Sequence, residues 1–77
     1  MTTASVKGWL LVIAGALEQW PAMNHRKRSP TEAVFRLVQR RVPRDLQAKV
    51  ARALPFLPTD DFAEAASMIR RAAERMR

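Results

Sequence analysis

The chain has 77 residues, no cysteine, 48% hydrophobic residues and a formal net charge of +7, from fourteen Lys/Arg against seven Asp/Glu. A body this small buries only about 60% of the surface its unfolded form exposes. With no cysteine, neither a disulfide nor a thiolate metal site supports the core, so the apolar share must go into tight helix packing or burial against a second copy.

The pattern predicts an all-α, compact four-helix domain of residues 1–77, with helices over about 5–20, 30–41, 43–54 and 59–76. Two glycines and no alternating apolar/polar run leave no signal for a strand. In the first helix Trp9, Ile13, Ala16, Leu17 and Trp20 recur at spacings of three and four. Leu10, Leu11 and Val12 widen the stripe almost all round, which suits a central helix or an oligomer interface. Pro21 is expected to end it. The run GWLLVIAGAL at 8–17 is too short to span a bilayer, which takes about 20 residues. Ala14-Gly15-Ala16 has the form of a signal-peptidase site, but the segment before it carries one lysine and would be an unusually short signal. A core helix is the better reading, with no integral membrane segment and a cytoplasmic location.

The connection PAMNHRKRS leads to the clearest local signal. Ser29 can cap the second helix, Pro30 falls where a missing N–H costs nothing, and Glu32 completes a Ser-x-x-Glu capping box. Val34, Leu37, Val38 and Arg41/Val42 give the inward face, with Arg36, Gln39 and Arg40 away from it. Pro43 opens the third helix, where Leu46, Val50, Ala53 and Leu54 recur. In the turn LPFLP at 54–58, Phe56 and Leu57 are expected to plug the core. Thr59 caps the fourth helix, with Asp60 and Asp61 in its first turn against the positive dipole end. Its stripe is Phe62, Ala65, Ala66, Ile69, Ala72, Ala73 and Met76, and Arg70, Arg71, Arg75 and Arg77 crowd its C-terminal end.

Trp9-Leu10, Trp20, Ala33-Val34, Arg41-Val42-Pro43 and Ala53-Leu54-Pro55 stand at characteristic intervals over residues 9–55. They resemble a bacterial all-helical domain family of unknown function, whose members repeat Ala-Val-Leu, then Arg-Leu, then Ala-Gln-Leu-Pro. This chain departs at Arg52 and is shorter. The resemblance implies an all-helical fold and supplies no catalytic residue.

No enzymatic constellation is visible. The single histidine, His25, sits in a basic loop, and adjacent Asp60 and Asp61 would point about 100° apart on a helix, which makes no dyad. There is no glycine-rich phosphate loop and no metal-ligand spacing, so no cofactor is expected. The remaining constellation is basic. Arg26, Lys27 and Arg28 precede a helix N-terminus, Arg36 and Arg40 stack four apart on the second helix, and Arg44 begins the third. Arginine binds phosphate through paired hydrogen bonds, and the charge suits nucleic acid or an acidic protein surface, although eleven arginines with abundant alanine also fit a GC-rich coding composition. A helix–turn–helix reading has only Gln47 as an amide for base edges. Trp9 and Trp20 read as core rather than base-stacking residues. The expectation is a small non-enzymatic basic binding protein acting on a polyanion, foremost nucleic acid, with a homodimer through the first or fourth helix. The alternative is a small adaptor or phage-type inhibitor that docks on a partner protein complex through apolar residues and arginine anchors.

Overall fold

The computed structural model describes residues 6–23 and 29–76. They form four helices, α1 (Val6–Met23), α2 (Pro30–Arg41), α3 (Arg44–Ala53) and α4 (Phe62–Glu74), with no strand among the described residues. The all-α, four-helix expectation holds. No helix among the described residues is long and apolar enough to cross a membrane.

Helix α1 is the hub. It lies most extensively against α4 and also contacts α2 and α3, while α2 and α3 pack on each other. Its buried stripe is Leu10, Ile13, Ala14 and Leu17, all fully covered, with Trp20 at the end. Ile13, Leu17 and Trp20 lie on the predicted face, but its edges differ: Leu10 and Ala14 are covered, while Trp9 and Ala16 are only half-buried. On a helix apolar on most sides the neighbours decide how far the covered side extends. Leu11 and Val12, the residues that widen the stripe, stay exposed.

Pro21 does not end α1, which continues to Met23. Proline's locked φ is itself helical, and this near the terminus only one backbone hydrogen bond is forfeited. The start of α2 matches its signal. Ser29 Oγ accepts from the Glu32 amide at 3.2 Å, and Pro30 occupies the first turn. Ala33, Val34, Leu37, Val38 and Val42 are buried, whereas Arg41 faces outward. Pro43 precedes α3 as its cap residue rather than opening it, and Arg44 is the first helical residue. Val50 is the one fully buried residue of α3, with Leu46 and Ala53 half-buried beside it.

The 54–58 turn divides its two large residues. Leu57 is buried, but Phe56 is 83% exposed and plugs nothing. Alternate residues of an extended segment point to opposite sides, so two consecutive large side chains cannot both face the core. Helix α4 is capped by Asp61, not Thr59, and ends at Glu74. Its stripe is as expected: Ala65, Ala66, Ile69 and Ala73 are fully buried. These small residues oppose α1, where Ala14 is also fully covered, and let the two helices approach closely.

Candidate functional site

The C-terminal end of α2, the turn and α3 are joined by one side chain. The Gln47 amide Nε2 donates to the Gln39 carbonyl at 3.3 Å and to the Val42 carbonyl at 3.0 Å. The last carbonyls of a helix have no internal partner, and Gln47 supplies one from the next helix. Its two N–H groups are thereby spent on the backbone, so the only amide a helix–turn–helix reading offered for base edges has no free donor.

Fixed in this way, α2 and α3 leave a groove of about 530 Å³ between them, which the 54–57 turn also lines. Val34, Val38, Ala48, Ala51, Leu54 and Leu57 line it, so its surface is largely aliphatic. Phe35 from α2 and Phe56 from the turn also line it, and they are 63% and 83% exposed. Neither holds the fold together, and sequence reasoning assigned a site role to neither. Phe35 carried a usable signal, since it is a phenylalanine off the apolar stripe of an otherwise well-patterned helix.

A second hollow of about 540 Å³ adjoins the groove and shares Thr31, Phe35 and Gln39 with it. Arg36 and Arg40 line this hollow together with Glu32. The expected (i, i+4) pairing of the two arginines is therefore present, but Arg36 is half-buried rather than fully on the exposed face. Arg44 is exposed at the start of α3 and lines neither hollow. Arg26, Lys27 and Arg28, with His25, lie outside the described residues. Arg41, next to Arg40 in the chain, lines a different depression with Leu11, Val12, Glu18 and Arg70. The arginines thus belong to more than one surface.

The two tryptophans are not platforms for bases. Trp20 is 9% exposed, and Trp9 packs against the core with its indole N–H buried and without a hydrogen-bond partner among the described residues. Among the described residues no three His, Cys, Asp or Glu side chains stand together as a set that could hold a metal ion. The Glu18 carboxylate receives both terminal nitrogens of Arg70, Nη1 to Oε2 at 2.8 Å and Nη2 to Oε1 at 2.5 Å. That hydrogen bonding, opposed by partial desolvation and aided by the guanidinium charge, holds the carboxyl below its ordinary value. The pair ties α1 to α4. No protein-family model, no curated protein and no solved structure matches the chain.

Proposed function

We propose that this is a small non-enzymatic docking protein that engages a partner protein through the α2–α3 groove, with Arg36 and Arg40 as polar anchors beside it. The observation that carries this reading is the pair of exposed phenylalanines on one aliphatic groove. Covering a phenylalanine contributes about 1.5–3 kcal/mol, and aromatic and arginine side chains dominate the energetics of interfaces. A solitary exposed apolar residue has no meaning, but two aromatic residues around a shared apolar surface mark an interaction site.

Binding to nucleic acid is the second reading. It is supported by the net charge and by Arg36 and Arg40 sharing one hollow. Glu32 in the same hollow weakens its attraction for phosphate, and neither tryptophan nor Gln47 is available to the bases. Titration against a random-sequence duplex across a salt series separates the two. The docking reading expects weak binding that is unchanged in Phe35→Ala. A steep log–log loss of affinity, with a slope reduced by about 1.8 in the Arg36→Ala/Arg40→Ala variant, would assign those arginines to phosphates and replace it.

A further inference from the structure

The groove has a shape and a charged surround that specify its occupant. Resting on the docking reading, we infer that the α2–α3 groove receives an acidic amphipathic helix of a partner protein. Along α2 its lining runs from Thr31 to Gln39, about 12 Å at 1.5 Å per residue, or a little over two helical turns. That length accepts apolar anchors at i, i+3 or i+4, and i+7. The walls are two helices whose backbone groups are used internally, and no strand edge is present among the described residues, so an extended peptide has no ladder to join. On the α3 side Ala48 and Ala51 keep the wall low, so a helical backbone can come close.

Charge decides the rest. Arg36 and Arg40 stand in the hollow that continues the groove on the α2 side, against the single carboxylate of Glu32. Arg44 and Arg52 on α3 are exposed four residues either side of the lining residue Ala48, with exposed Asp45 beside Arg44, and neither arginine lines the groove. An occupant with carboxylates beside its apolar stripe meets opposite charge at Arg36 and Arg40 on the α2 side, within a chain of net charge +7, which gives orientation and fast association. A second copy of this chain would bring another net charge of +7 to the same surface and is disfavoured by repulsion.

The test is panning of a library of random peptides of roughly 16 residues, about four helical turns, against the immobilised full chain. The same panning is run on Phe35→Ala/Phe56→Ala and on Arg36→Ala/Arg40→Ala. All four side chains lie outside the core, and unchanged circular dichroism and melting certify each variant as folded. The expected result is a set of net-negative peptides with apolar residues at i, i+3/i+4 and i+7, helical when bound. Their affinity should fall more than about tenfold on the phenylalanine variant and fall with salt on the wild type more steeply than on the arginine variant. Peptides that need Phe35 and Phe56 but are neutral, basic or without helical spacing would overturn the acidic helix and leave the docking reading standing. No peptide dependent on the two phenylalanines would remove both. Reversible dimerisation of the chain, abolished by the phenylalanine variant, would assign the groove to a second copy instead.

Discussion

Asp61 and Thr59 divide a task that local sequence assigns to either. Both residue types accept hydrogen bonds from free helix-start amides. In the fold, Asp61 Oδ1 accepts from the amides of Ala63 at 2.9 Å and Glu64 at 3.3 Å, while Thr59 Oγ1 accepts from the Asp61 amide at 3.0 Å. Thr59 therefore orders the approach and Asp61 caps the helix, with its charge at the positive end of the dipole. Asp61→Ala should cost about 1 kcal/mol, and Thr59→Ala clearly less. Urea denaturation of the two variants side by side checks this, and equal losses would return the capping role to Thr59. Ser29 was readable without ambiguity because its partner signals, Pro30 and Glu32, are contiguous with it.

Helix α1 shows how far periodicity reaches. Its apolar run announces a central helix, and the helix does contact all three others. The run does not announce that Leu10 and Ala14 turn inward while Leu11 and Val12 stay out. Gly15 lies inside this helix, where a Cβ would meet nothing within 4 Å. Glycine in a helix interior is less favourable than alanine by roughly 0.5–1 kcal/mol. With no close neighbour to clash, Gly15→Ala should raise stability by about that amount and the melting temperature by a few degrees. A lowered melting temperature would show that some contact needs the backbone bare at this position.

Between Glu18 on α1 and Arg70 on α4 the chain closes a separation of 52 residues with a bidentate ion pair. The carboxyl is depressed below its ordinary 4.5 in the fold. Its contribution to stability is therefore present above about that pH and lost as pH falls through the lower folded value. Both side chains are 40% exposed, so the effect is small and screened by salt. Wild type should melt above Glu18→Gln near about pH 6, and the gap should narrow as the pH is taken below 4.5. A constant gap over that range would mean that the glutamine disturbs packing rather than charge. The arginines of α4 have a plain reason to gather near its C-terminal end, but the partner of Arg70 becomes visible only once the two helices lie together.

Helix number, order and most boundaries were legible in the chain, because prolines, caps and i, i+3/i+4 spacings act through neighbours a few residues away. For the same reason Arg36 and Arg40 could be placed together on one helix face. Three things could not be read: the edges of the buried stripe of α1, the outward turn of Phe56, and the meeting of Phe35, Phe56 and the α3 alanines around one groove. Each depends on surfaces brought together from distant parts of the chain, and the free energy of covering an apolar side chain is set by what lies across from it, not by what precedes it in sequence. Composition foretold a basic protein. Only the packing of α3 on α2, held by Gln47, sets its arginines beside an apolar groove.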